Sequence, residues 1–140
     1  MIDTEGFNPL TRACQLLKAD VVLSLIRSGF DVNKPDKYLY ANKIVTRSPL
    51  SVAVDSLSED IVSILINHGA FVKKSPREYL GPLHIACFKG NHNIIKLLVN
   101  SGANVNERTG GGQTPLFISI LFGHNPQVSN FLIKSGSKWE

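Results

Sequence analysis

The sequence predicts an all-α fold of four stacked helix-turn-helix repeats, and three observations predict it. A short opening phrase occurs four times: Asn8-Pro9-Leu10, Ser48-Pro49-Leu50, Gly81-Pro82-Leu83-His84 and Thr114-Pro115-Leu116. Each is answered about 20 residues later by a closing phrase: Leu25-Ile26-Arg27-Ser28-Gly29, Leu65-Ile66-Asn67-His68-Gly69, Leu98-Val99-Asn100-Ser101-Gly102 and Leu132-Ile133-Lys134-Ser135-Gly136. The opening prolines are separated by 40, 33 and 33 residues. A period near 33 marks a repeat architecture rather than a domain built around one core.

The first helix of each repeat starts at the proline. Asn8, Ser48 and Thr114 are good N-cap residues, and proline at the first helical position gives up an N–H that has no helical partner. Nine residues after each of the first three prolines the chain breaks and a second helix begins. Ser58 caps one of these, with Glu59 and Asp60 in its first turn, where carboxylates favour the helix dipole. Asn125-Pro126 repeats the signal in the last repeat. The second helices carry apolar residues at helical spacing: Val21, Val22, Leu25; Ile61, Val62, Leu65; Ile94, Ile95, Leu98; Val128, Phe131, Leu132. Gly29, Gly69, Gly102 and Gly136 then end them, as residues able to turn left-handed do. Ala13, Ala53, Ala86 and Ser119 fall four places after the prolines, where two helices approach closely. No single repeat buries its apolar face alone, but four side by side share a core.

The run Pro82-Leu83-His84-Ile85-Ala86, followed by Gly90, Leu97-Leu98 and Gly102-Ala103-Asn104-Val105-Asn106, resembles the ankyrin repeat. The resemblance extends over nearly the whole chain, with approximate repeats 6–35, 46–75, 79–108 and 112–140 in a single domain. Leu17 and Leu57 stand where the family has glycine between its helices. The last repeat has one extra residue before Gly136, and Trp139 replaces Val32, Val72 and Val105. The resemblance implies an all-α, curved solenoid with β-hairpin-like fingers between repeats, serving as a protein-binding scaffold.

With 140 residues, 43% of them apolar, the chain suffices for one soluble domain. No segment is long enough to cross a membrane and no leader signal opens the chain. Cys14 and Cys87 hold equivalent places two repeats apart. At about 10 Å per helix diameter, they lie too far apart for the roughly 7 Å a disulfide tolerates. Free thiols suit a reducing interior, so an intracellular location, cytoplasmic or nuclear, is expected.

The formal charge is +4. The connecting segments 30–47, 70–81 and 103–114 hold eight basic and four acidic residues, so the whole excess falls on the fingers. That edge would steer an acidic partner inward, or it is simply a solvated edge. The first interval exceeds the period by seven residues, an extended finger at 35–46. Tyr38 and Tyr40 there, with basic neighbours, are good contact material. Alternatively Leu39, Tyr40 and Ile44 fold back over the stack.

The family resemblance implies contact places two before each proline and six and seven after it. These are Phe7, Gln15 and Leu16; Arg47, Asp55 and Ser56; Leu80, Phe88 and Lys89; and Gln113, Leu121 and Phe122. Leu80, Phe88, Leu121 and Phe122, with Tyr79 beside them, predict an apolar contact patch centred on Phe88. Leu16 is expected in the core, because the first two repeats lack the inter-helix glycine. Phe122 has an alternative role, turned inward to close the stack.

The histidines His68, His84, His92 and His124 are scattered; the family gives His84 a structural hydrogen-bonding role. No spacing suggests a metal site, no cofactor is implied, and Gly110-Gly111-Gly112 reads as a flexible finger tip rather than a phosphate loop. No base is placed beside a nucleophile, so no enzyme is expected. The leading expectation is a non-catalytic adaptor, scaffold or inhibitor, monomeric by itself, holding a protein or peptide. The alternatives are basic fingers on nucleic acid or acidic lipid, with steep salt dependence, and a structural segment of a longer array.

Overall fold

The computed structural model describes residues 8–40, 42–123 and 125–137. Phe7, His124 and Trp139 lie outside the described residues, as do the side chains of Tyr38, Leu39 and Tyr40. The helices are α1 (Pro9–Gln15), α2 (Ala19–Arg27), α3 (Pro49–Asp55), α4 (Glu59–Asn67), α5 (Pro82–Lys89), α6 (His92–Asn100), α7 (Pro115–Phe122) and α8 (Pro126–Lys134). Strands β1 (Asp36–Tyr40) and β2 (Lys43–Arg47) pair antiparallel. The chain divides into two compact halves, Met1–Phe71 and Val72–Glu140, with two helix pairs in each.

The helix starts follow the caps read from the sequence. Asn8 Oδ1 accepts from the Leu10 N–H at 3.0 Å, Ser48 Oγ from Ser51 at 3.1 Å and Thr114 Oγ1 from Phe117 at 3.2 Å. Ser58, Asn91 and Asn125 cap α4, α6 and α8. At the other end, Gly29 has φ 94° and Gly136 φ 102°. In the first repeat the Gly29 and Phe30 N–H groups then reach back to the Ile26 and Leu25 carbonyls, satisfying acceptors the helix leaves open.

In the first half, α1 packs on α2 and α3, and α4 packs on α2 and α3. Its core is Leu10, Val22, Leu50, Val54, Ile61 and Leu65, all essentially inaccessible. In the second half, α5 packs on α6 and α7, and α8 on α6 and α7, around Leu83, Ile94, Ile95, Leu98 and Leu132. Ala13, Ala53, Ala86 and Ser119 are all buried, as expected of residues where helix backbones come close.

The turns between paired helices depart from family chemistry but not from family geometry. Gly90 is left-handed at φ 75°, and both Leu17 and Leu57 are left-handed at φ 60°. A side chain in that conformation is strained by about 1–2 kcal/mol. Backbone bonds impose it: the Leu17 and Lys18 N–H groups donate to Cys14 and Ala13, and those of Leu57 and Ser58 to Val54 and Ala53. This corrects the expectation that Leu16 is core. Leu17 ends α1 as glycine would, the local packing is not rearranged, and Leu16 stays 58% exposed. In the last repeat the extra residue makes Gly123 extended, where a Cβ would collide with the Ser119 carbonyl oxygen.

The seven surplus residues of the first finger lengthen a hairpin. Its register runs from Asp36 opposite Arg47 to Tyr40 opposite Lys43, with Asn42 left-handed at the turn. Its base is fixed to α1. Thr11 Oγ1–H donates to the buried Asp36 carboxylate at 2.6 Å, and Asn8 Nδ2–H donates to the Lys34 carbonyl at 2.8 Å. Ile44 does not fold back over the helices; it is 72% exposed.

Candidate functional site

In the second half, a buried histidine ties finger to helix. His84 Nδ1 accepts from the Gly81 N–H at 3.0 Å, and its Nε2 lies 2.7 Å from the Glu107 carbonyl. Accepting at Nδ1 and donating at Nε2 is the work of a neutral imidazole. Burial lowers its pKa below the ordinary 6.5, offset in part by the Glu107 carbonyl. The Glu107 carboxylate accepts from the Lys74 N–H at 2.8 Å, joining the segment before α5 to the finger before α7. Lys74 Nζ in turn donates to the Ser75 and Glu78 carbonyls. Gly81 has no room for a Cβ, which would fall 2.8 Å from Lys74 Cβ. These bonds give His84 the structural role expected of it.

On this frame stands the patch predicted from the sequence. Phe88, at the end of α5, and Phe122, at the end of α7, meet edge to face with ring centroids 5.0 Å apart. They remain 52% and 42% exposed. Phe122 therefore does not turn inward. Leu121 is exposed beside it, Lys89 is exposed next to Phe88, and Leu80 is half-buried. The two aromatic rings are held against each other yet left in contact with solvent.

Tyr79 has a seat of its own. Its carbonyl accepts from the Gly110 N–H at 2.9 Å. Its ring lies where a Cβ on Gly110 or Gly111 would stand, and it is well exposed. The glycine run, expected as a flexible tip, is instead a bonded turn. Thr109, itself buried, pairs with Gln113 through the backbone, and its Oγ1 accepts from the Gly111 and Gln113 N–H groups. Glycine is needed there to let an aromatic ring approach the backbone. The pairing of these adjacent glycines with a tyrosine about 30 residues earlier, in the previous finger, carries no local sequence signal.

The first-half candidates are placed differently. Arg47, on β2, is paired with Asp55 at 3.7 Å, so two of the expected contact residues hold each other. Tyr38 and Tyr40 lie on β1, opposite Val45 and Lys43. Among the exposed apolar residues that sequence reasoning missed in this half are Leu17 and Leu57, left-handed and about half exposed, together with Phe71 and with Val21, which the helical spacing places on the apolar stripe. In the second half it missed Phe117 and Ile120 on α7.

Finger charge is more one-sided than composition shows. Of the four finger acids, Asp36 and Glu78 are buried and Glu107 is half-buried with its carboxylate bonded inward. Lys34, Lys37, Lys43, Lys73, Arg77 and Arg108 are exposed. Among the described residues no group of three or more His, Cys, Asp or Glu could hold a metal ion, and no helix is long and apolar enough to cross a membrane. Cys14 and Cys87 are free and buried, and burial pushes both thiols up to about 12, which keeps them protonated and unreactive.

The family model described as ankyrin repeats (many copies) matches residues 50–99 and 83–133. Together these matches span residues 50–133, more than half of the 140. No curated protein matches the chain.

Proposed function

Given that the chain belongs to the ankyrin-repeat family, whose members are in general protein–protein interaction modules, we propose that its second half binds an acidic protein segment through an apolar anchor. The carrying observation is the exposed Phe88–Phe122 pair; Leu121 and Tyr79 are exposed as well, and Leu80 is half-buried. Aromatic residues packed in place supply contact area without a large ordering cost on binding. Charge supplies the second half of the reading. Residues 72–140 contain eight basic and three acidic side chains, and residues 1–71 seven and eight. Lys89, Arg77 and Arg108 are exposed, so carboxylates flanking an apolar anchor would be drawn to this half. Tyr38 and Tyr40 on the first finger are proposed as separate, weaker contacts. An adaptor, scaffold or inhibitor role inside the cell follows from this reading, and two unpaired thiols suit such a location.

Affinity capture with quantitative mass spectrometry tests the proposal. Wild type is compared with Phe88→Ser, Leu121→Ser and a control, Asn93→Ser on the exposed side of α6. A partner depleted at least tenfold by both patch variants, and retained by the control, supports it. If circular dichroism and melting are unchanged and every captured protein is retained, the patch is not a binding site.

A further inference from the structure

The lengthened first finger interleaves lysines with apolar and aromatic residues. From Lys37 to Val45 the chain reads Lys-Tyr-Leu-Tyr-Ala-Asn-Lys-Ile-Val. The register sets Leu39 opposite Ile44 and Tyr40 opposite Lys43, and the left-handed Asn42 stands in the turn between them. Ile44 is the most exposed large apolar side chain among the described residues. A single exposed isoleucine is ordinary. This one stands at the closed end of a hairpin, opposite a leucine and next to the Tyr40–Lys43 pair.

Negative charge is withdrawn from this finger. Between Val32 and Val54 the one acidic residue is Asp36. It is buried at the hairpin base, where it accepts from Thr11 Oγ1–H at 2.6 Å and from the Lys37 N–H at 2.8 Å. Of the four basic residues in the same stretch, Arg47 is paired with Asp55, while Lys34, Lys37 and Lys43 are exposed. The outer part of the finger is therefore cationic and apolar together, and its charge fits an anionic partner.

Shape narrows the choice of that partner. Two paired strands about 4.8 Å apart make a ribbon too narrow to form a pocket, and five residues of strand carry the turn roughly 14 Å beyond Asp36. Such a tip cannot receive a partner; it has to enter one. Three lysines are few for tracking a nucleic-acid backbone, and isoleucine offers a base no stacking surface. A bilayer interface takes apolar side chains at its acyl boundary, tyrosine at the headgroup level and lysine at an anionic surface. We propose that the tip of the first finger, around Ile44, enters the headgroup region of an anionic lipid bilayer. The finger lies in the first half and shares no residue with the Phe88 patch, so either reading stands without the other. One short tip binds weakly and reversibly. Each lysine near an anionic surface contributes roughly fivefold in partitioning, and three together on the order of a hundredfold.

Flotation of the full chain with vesicles reads this directly. Vesicles of equal parts phosphatidylserine and phosphatidylcholine should retain it at least tenfold better than phosphatidylcholine alone. About 1 M salt, which shortens the screening length to about 3 Å, should abolish the difference. Lys37→Gln combined with Lys43→Gln should weaken partitioning at least tenfold, and Ile44→Ser at least fivefold. All three residues are exposed, so circular dichroism and melting should hold, and Phe88→Ser should leave partitioning unchanged. A second measurement does not rely on those variants. With Cys14 and Cys87 buried, Ile44→Cys takes an environment-sensitive fluorophore at one place. Its emission should shift to the blue on the mixed vesicles, whereas the same label at Ser24→Cys, on the exposed side of α2, should not shift. Equal retention by both vesicle types, retention indifferent to the lysine and Ile44 variants, or equal shifts at both labels would each overturn the proposal. So would binding of poly-glutamate or duplex DNA to this finger without partitioning into vesicles, which would make it a docking edge for another polyanion.

Discussion

In the first half the finger between repeats is a hairpin of two five-residue strands, held at its base by the Thr11–Asp36 and Asn8–Lys34 bonds. In the second half the fingers are short and fastened by His84, Glu107 and Lys74. The inter-helix turns differ in the same way. Leucine is forced left-handed twice in the first half, whereas in the second half Gly90 takes that conformation without strain and Gly123 is extended. The charge differs too, balanced in one half and strongly basic in the other. One backbone plan thus accepts two chemistries. The half closer to the family pattern is the half whose aromatic pair stands exposed, and it is there that protein binding is proposed.

The largest effect expected from breaking this difference is at His84. Its replacement by Ala leaves the Gly81 N–H and the Glu107 carbonyl without their partner and opens a cavity in a fully buried place. A loss of about 3 kcal/mol is expected, read by urea unfolding. The same residue gives the halves different acid sensitivity. The folded form resists protonation, because burial lowers the His84 pKa below 6.5. Its stabilising contribution is complete above that value and is lost as pH falls beneath it toward the lowered one. Amide exchange should therefore quicken first around Gly81 and the 103–114 finger on acidification. Equal quickening of α1 and α3 would mean that His84 is not the cause.

Next in size is the base of the hairpin. Thr11→Val keeps the side-chain shape and deletes the 2.6 Å donor to the buried Asp36 carboxylate. Losing a charge-assisted buried bond costs about 2 kcal/mol. The loss should appear in amide exchange of β1 and β2, with α5 to α8 unaffected. A uniform change in both halves would show that the hairpin anchor is not local.

Legibility in the sequence followed the range of the interactions. Caps, prolines and terminal glycines act over three or four residues, so Asn8, Ser58, Asn125 and Gly136 were readable, and the helix pairs with them. The exposure of Phe88, Leu121 and Phe122 was readable because a repeat assigns each position a face. Leu16 was not, because its exposure depends on whether Leu17 accepts a strained backbone, a decision made by hydrogen bonds to Ala13 and Cys14. The Arg47–Asp55 pair, the Tyr79 seat on Gly110 and the burial of Glu78 each join residues that local spacing does not relate.

The smallest expected effect concerns the turns, and its sign sharpens the comparison most. Gly90→Leu places in the second half the strain that the first half already carries, and should cost about 1–2 kcal/mol. Leu57→Gly does the reverse, relieving a φ of 60° but giving up the buried part of a half-exposed side chain. That part is worth on the order of 1 kcal/mol, so a net change between zero and about 1 kcal/mol of stabilisation remains. Opposite signs for the two variants in chemical unfolding would establish that the leucines are tolerated against local strain. If Leu57→Gly were instead as destabilising as Gly90→Leu, the leucine side chain would be contributing packing that outweighs its backbone, and the first half would have to be regarded as a differently stabilised repeat pair.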